Sequence, residues 1–147
     1  LIAGAKRLRK QIAVLAVDLD DFKAVNDRYG HAAGDAVLVA SAERMQRLLR
    51  ESDVIARFGG DEFVIVLGQV ENAEAAREIA SRVVERLSQP IPLAGGGTAH
   101  IGASVGIAMS GADGATLDGL LKQADAALYA AKRDGKRTFR QAGASGG

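Results

Sequence analysis

Residues 11–19 constrain the fold of this chain more than any other stretch. As a strand they place Ile12, Val14 and Ala16 on one face and Ala13, Leu15 and Val17 on the other, because successive strand side chains point to opposite sides. A strand that is apolar on both faces needs cover on both. It therefore belongs in the middle of a sheet, with further layers above and below.

The remaining sequence supplies those layers. A short helix is expected from Asp21 to about Tyr29, closed by Gly30, and a second from about Gly34 to Arg50 with Leu38, Ala42, Met45 and Leu49 at helical spacing. Val54-Ile55-Ala56 and Phe63-Val64-Ile65-Val66-Leu67 flank Gly59-Gly60 and read as a β-hairpin, in which the glycines would take φ > 0. Asn72 is placed to cap a helix with Ala76, Ile79, Val83 and Leu87 on its buried stripe, ended by Pro90. Residues 91–98 are turn-rich. Ile101, Val105, Ile107 and Met109 mark another strand, whose opposite face (Gly102, Ser104, Gly106) is small enough to admit a close neighbour. Thr116 is placed to cap a last helix carrying Leu117, Leu120, Leu121, Ala124, Leu128 and Ala131, and residues 138–140 suit an edge strand. The expected class is α+β: a roughly five-stranded mixed sheet with helices on both faces.

At 147 residues, one domain is expected, over residues 1–142, with a linker-like tail at 143–147 and a start that looks like the end of a helix. Both ends suggest a piece of something longer. The 19 basic and 18 acidic residues argue against a nucleic-acid polymer or a membrane surface as partner. There is no cysteine, hence no disulfide and no thiolate ligand or nucleophile. No apolar run reaches membrane-span length and no signal peptide is visible, so a cytoplasmic setting is expected.

Two stretches carry chemistry. Asp61 and Glu62 project from the hairpin tip, where a divalent cation could be held and where a solvated turn would also favour Gly and Asp. Asp18 and Asp20 share strand parity and leave the core on one face. Carboxylates at a strand end suit Mg²⁺, which prefers oxygen ligands and keeps room for substrate phosphates; a solvated strand end with an N-capping Asp is the plainer reading. Lys23 follows nearby. Lys132 and Lys136 stand four apart near the end of the last helix, and Arg57 just precedes the glycines. If the hairpin pairs beside the first strand, these groups describe a metal-served nucleoside-triphosphate site. No Gly-x-x-x-x-Gly-Lys loop occurs, so it is not a P-loop site.

Gly59-Gly60-Asp61-Glu62-Phe63 resembles the motif of the GGDEF family of diguanylate cyclases. Asp18-Leu19-Asp20-Asp21-Phe22-Lys23 through Asn26-Asp27, Gly30-His31 and Gly34-Asp35 resembles that family's second block, and Tyr129-Ala130-Ala131-Lys132 with Gly135-Lys136 its closing block. The resemblance runs from about Gln11 to Arg140 and implies a nucleotidyl-cyclase or polymerase-palm-like fold.

It also implies roles. Asp18, Asp61 and the carbonyl of Leu19 would hold Mg²⁺ or Mn²⁺. Asp61, with Glu62 beside it, would take the ribose 3′-hydroxyl proton. Asn26 and Asp35 would read the guanine edge, with His31 shaping that pocket, although an isolated His more often simply packs. Lys23, Lys132 and Lys136 would hold phosphates while Gly59 and Gly60 admit the nucleotide, and Arg57 would stabilise transition-state charge. The implied reaction joins two GTP into cyclic di-GMP across a homodimer. Arg50-Glu51-Ser52-Asp53 matches an Arg-x-x-Asp product-inhibition site, although alone it reads as a solvated helix end.

Departures from the pattern are Lys136 where Arg is usual, Arg137 where Asn is usual, and a first strand that begins too soon for the usual Asp-x-Leu-Thr turn and helix. A sensory or phosphodiesterase domain is the expected neighbour in a longer chain. A GTP-binding or cyclic-di-GMP-sensing regulatory module with weak or no catalysis is the alternative.

Overall fold

A computed structural model describes residues 11–110 and 116–143. The helix end expected at the start of the chain and the last four residues of the linker-like tail lie outside them. In chain order the elements are β1 (Gln11–Asp20), α1 (Phe22–Tyr29), α2 (His31–Gln46), β2 (Val54–Gly59), β3 (Glu62–Val70), α3 (Ala73–Leu87), β4 (Ile91–Pro92), β5 (Thr98–Ala99), β6 (Gly102–Met109), α4 (Leu117–Arg133) and β7 (Phe139–Gln141).

Five strands form one sheet in the order β2-β3-β1-β6-β7, with β1 at its centre as its two apolar faces require. β1 runs antiparallel to both β3 and β6, and β7 joins β6 in parallel. Ala13, Leu15, Val17 and Leu19 enter the larger core, with Val25 of α1, Val37 and Met45 of α2, and Ala76, Ala80 and Val83 of α3. Val14 and Ala16 enter a smaller core on the other face, closed by Leu120, Ala124 and Leu128 of α4. The small face of β6 does what its composition suggests. A Cβ at Gly106 would strike the Ala124 carbonyl and the Leu128 amide of α4, so only glycine lets that helix sit so close.

Both anticipated N-caps form: Asn72 Oδ1 accepts from Ala75 N–H at 2.9 Å and Thr116 Oγ1 from Gly119 N–H at 3.0 Å. Boundaries differ elsewhere. α2 begins at His31 rather than Gly34, because Gly30 (φ 92°) both ends α1 and opens α2. Its fully buried stripe is Val37, Ser41 and Met45, while Leu38, Ala42 and Leu49 are only partly buried. The apolar residues outnumber the positions the core can take, so spacing alone misplaces the stripe. The 91–98 segment forms a two-stranded hairpin, β4–β5, apart from the main sheet.

Two expectations are corrected. Gly59 and Gly60 are not among the residues with positive φ, so the hairpin does not need them for a left-handed turn. A Cβ on either would meet nothing within 4 Å, so their effect is to leave open space above the backbone. Lys136 is not one helical turn beyond Lys132, because α4 ends at Arg133 and Lys136 lies past it at φ 65°. Gly106→Ala should lower stability by about 2–3 kcal/mol or more through a backbone clash, whereas Gly60→Ala should stay within about 0.5 kcal/mol. Urea midpoints at constant m decide this, and equal midpoints would refute the close-approach account.

Candidate active site

The site grows from the register of three strands. Asp18 faces Glu62 of β3 on one side and Ser104 of β6 on the other. Asp18 and Asp20 share the parity of Val14 and Ala16, so both carboxylates emerge on the α4 side. Lys132, at the end of α4, meets them there: its Nζ lies 2.9 Å from Asp18 Oδ2 and 3.3 Å from Asp20 Oδ1. The hairpin tip is tied to the same strand end, since Leu19 N–H donates to the Asp61 carbonyl at 3.0 Å. Asp18, Leu19, Asp61 and Glu62 are thereby brought together, as the sequence suggests.

Electrostatically this cluster is short of positive charge. The Asp18 carboxyl is raised above its ordinary value, chiefly by burial and further by Asp61, and the bond to Lys132 does not cancel this. Glu62 is raised by burial and then by Asp125, Asp18 and Asp61. Burial pulls Lys132 down, yet its contacts with Asp18 and Asp20 outweigh that and hold it above 10.5. Asp18 Oδ1 is moreover buried without a hydrogen-bond partner among the described residues. An orphaned hard oxygen in a cation-poor pocket fits a divalent metal. No group of three or more His, Cys, Asp and Glu side chains gathers among the described residues to form such a site. Asp18 and Asp61, aided by a main-chain carbonyl, are the available donors.

The other expected residues are spread over α1, α2, β2 and the turn after α4. Asn26 of α1 lies against Gly34 of α2, where any Cβ would overlap its Oδ1. Asp35 follows on the exposed side of α2 and, with Arg57, Leu38 and Phe63, lines a depression of about 390 Å³. Arg57 Nη1 donates to the Gly60 carbonyl at 2.8 Å, bracing the turn. His31 is exposed at the start of α2, and Lys23, exposed on α1, makes no ion pair among the described residues. Lys136 Nζ is 4.0 Å from Asp21 Oδ1.

Arg50 and Asp53 sit apart from this cluster, before β2. Asp53 takes two backbone N–H groups, from Arg50 at 2.8 Å and Gly68 at 3.1 Å, so its carboxylate also builds the turn. Both residues line a cleft of about 260 Å³ with Glu78 and Arg82 of α3. Sequence reading offered Asp20, with Asp18, as a strand-end carboxylate suited to Mg²⁺ and gave Ser104 and Arg137 no chemical role; Asp20 is instead taken up by protein donors. Asp20 and Ser104 are fully buried on one sheet face, and Arg137 N–H donates to Asp20 at 2.9 Å. Their common strand parity was the available signal for the first two.

A family model described as diguanylate cyclase, GGDEF domain, matches residues 1–138. Diguanylate cyclase TpbB of Pseudomonas aeruginosa is 44% identical over 141 residues, 96% of this chain and 32% of that protein. The bifunctional diguanylate cyclase/cyclic di-GMP phosphodiesterase MucR of the same species is 46% identical over 94% of this chain and 20% of its own length. The chain thus spans a third or less of these relatives. Among solved structures, the GGDEF domain of TpbB superposes with a TM-score of 0.87 at 42% identity, covering 96% of this chain and 82% of that one. The GGDEF domain of DgcB from Caulobacter crescentus, in complex with c-di-GMP, gives 0.84 at 28% identity over 95% and 82%. No helix among the described residues is long and apolar enough to cross a membrane.

The pKa directions carry a stability consequence. Asp18 binds a proton more tightly folded than unfolded, so its contribution is best below 3.8 and is lost as pH rises through the raised folded value. Lys132 stabilises the fold fully below 10.5 and loses that contribution as pH climbs past its raised value. At neutral pH without added metal, Asp18→Asn should raise Tm by about 2–4 °C, with the gain shrinking towards acid. Scanning calorimetry across pH checks this, and a lower Tm for the variant at pH 7 would contradict it.

Proposed function

The chain belongs to the GGDEF family of diguanylate cyclases, and from that premise we propose that this domain condenses two GTP into cyclic di-GMP and two pyrophosphates. The observation that carries the reading is the unpartnered buried oxygen of Asp18, set beside Asp61 and Glu62 at the end of the central strand. Asp18, Asp61 and the Leu19 carbonyl would hold Mg²⁺ or Mn²⁺, which would supply positive charge to the phosphates and lower the pKa of the attacking hydroxyl.

In each half-reaction the 3′-oxygen of one GTP forms a bond to the α-phosphorus of the other. The bond from that phosphorus to the bridging oxygen breaks, and pyrophosphate leaves with the electron pair. Asp61 receives the hydroxyl proton with Glu62 beside it, and burial followed by its acidic neighbours raises Glu62. Asn26 and Asp35 pair with the guanine edge and reject adenine, which would leave those groups unpaired; His31 closes that end. Lys23, Lys132 and Lys136 hold phosphates, and the bare backbone of Gly59 and Gly60 lets the nucleotide lie close. Arg57, poised over Gly60, offsets charge in the transition state. One domain binds one GTP, so two copies meet face to face, at least transiently, and proximity is what a sensory or phosphodiesterase neighbour would control. The setting is cytoplasmic, where GTP is available.

Product binds at Arg50 and Asp53, whose cleft also presents Arg82 for a guanine dinucleotide. A relative named cyclic di-GMP phosphodiesterase NbdA, 41% identical over 88% of this chain, favours a second reading: a GTP-binding or cyclic-di-GMP-sensing module that regulates an attached domain.

Incubation with GTP and Mg²⁺ followed by chromatography separates the two. Cyclic di-GMP and pyrophosphate should form, and Asp61→Ala should reduce the rate at least about a hundredfold. GTP binding without turnover, in a dimer-competent protein, would sink the cyclase and leave the module. Arg50→Ala should relieve inhibition by added product at little stability cost. Asp53→Ala should relieve it too but cost about 1–3 kcal/mol, because two backbone N–H groups lose their acceptor. Inhibition unchanged in both variants would remove the feedback site.

A further inference from the structure

Asp20 is the one fully buried carboxylate among the described residues, and the reaction as written gives it nothing to do. Three donors converge on it. Ser104 Oγ lies 2.8 Å from Oδ1 and 3.1 Å from Oδ2, Lys132 Nζ is 3.3 Å from Oδ1, and Arg137 N–H is 2.9 Å from Oδ2. They come from three different elements: β6, the last turn of α4, and the turn beyond it. A carboxylate is acceptor-only, so it can receive all three at once.

The turn it holds is costly. Gly135, Lys136 and Arg137 have φ of 120°, 65° and 52°, two consecutive non-glycine residues in the left-handed region. Such backbone persists only where its surroundings over-determine it, and it collects at functional sites. Here the restraints are visible. Gly135 N–H donates to Lys132 O, Lys136 N–H to Ala131 O, and Arg137 N–H to Asp20. The Arg137 side chain reaches Asp21 Oδ2 at 3.0 Å and the Ile101 carbonyl at 3.2 Å. It crosses directly over Gly102, where a Cβ would lie 2.7 Å from Arg137 Cγ. Without the Asp20 anchor, nothing in β1 would oppose relaxation of this turn.

We infer that Asp20 is a positioning residue: its buried carboxylate fixes Lys132 and the strained turn bearing Lys136 at the end of β1, so that both ammonium groups are set for the triphosphate. This rests on the cyclase reading only in assigning the two lysines to phosphate. Asp20 itself touches no substrate. Asparagine would not replace it, because its NH₂ group must then face a donor, Arg137 N–H or Lys132.

The test compares wild type and Asp20→Asn by calorimetric titration, once with a non-hydrolysable GTP analogue plus Mg²⁺ and once with guanosine. Analogue affinity should fall about tenfold while guanosine affinity stays within twofold. In the steady state KM for GTP should rise about tenfold, with kcat changed less than threefold. Equal losses for both ligands would mean a merely structural role and overturn the inference, as would no loss for either. If Asp20→Asn does not fold, Ser104→Ala removes one of the converging donors and should show the same split at about threefold; its absence overturns the inference equally. A wild type that binds the analogue but makes no cyclic product refutes the cyclase while the binding split still decides the role of Asp20. A wild type that binds neither ligand overturns both.

Discussion

Everything in this molecule hangs on how β1 is held. Flanked by antiparallel neighbours and covered on both faces, the strand has no freedom to slip, since a shift of one residue would exchange its two apolar faces. That rigidity continues past the core into Asp18 and Asp20. The same hydrogen-bond ladder that fixes Val14 and Ala16 beneath α4 aims the two carboxylates at Lys132. The active-site geometry is thus a by-product of core register, and the hairpin tip is keyed to it through the bond from Leu19 to Asp61.

The two carboxylates are treated differently by the fold. Asp20 is completely satisfied, by donors from β6, α4 and the following turn. Asp18, two residues earlier on the same face, keeps one buried oxygen with no partner among the described residues and sits beside another acid. Local rules of polar satisfaction are obeyed at one and broken at the other. Departures of that kind mark sites where stability has been conceded to function.

Much of this was legible in the sequence because it depends on local pattern. The central placement of β1, the caps at Asn72 and Thr116, the small face of β6 and the shared parity of Asp18 and Asp20 follow from period and residue type. What was not legible depends on tertiary context. The buried stripe of α2 shifts to Val37, Ser41 and Met45 because the helix has more apolar residues than one face holds. Lys132 and Lys136 have helical spacing, but the helix stops at Arg133 and the chain turns left-handed. Gly59 and Gly60 looked like conformational necessities, but neither has a positive φ and a Cβ on either would meet nothing within 4 Å. Asp20 read as a metal-side carboxylate, and the donors that take it up instead could not be seen because they lie more than eighty residues away in sequence.

The two cores beneath the site are unequal. On one side α1, α2 and α3 share a broad apolar layer; on the other α4 alone closes a narrow one against Val14, Ala16, Val64 and Ala108. Residues expected at the guanine end stand on the thick layer, and Lys132 and the turn after it stand on the thin one. Local opening costs least where buried apolar contact is sparsest. The two ends of the site therefore rest on separate cores, so a break in the α4 layer would displace Lys132 while Asn26 and Asp35 stay anchored on the other.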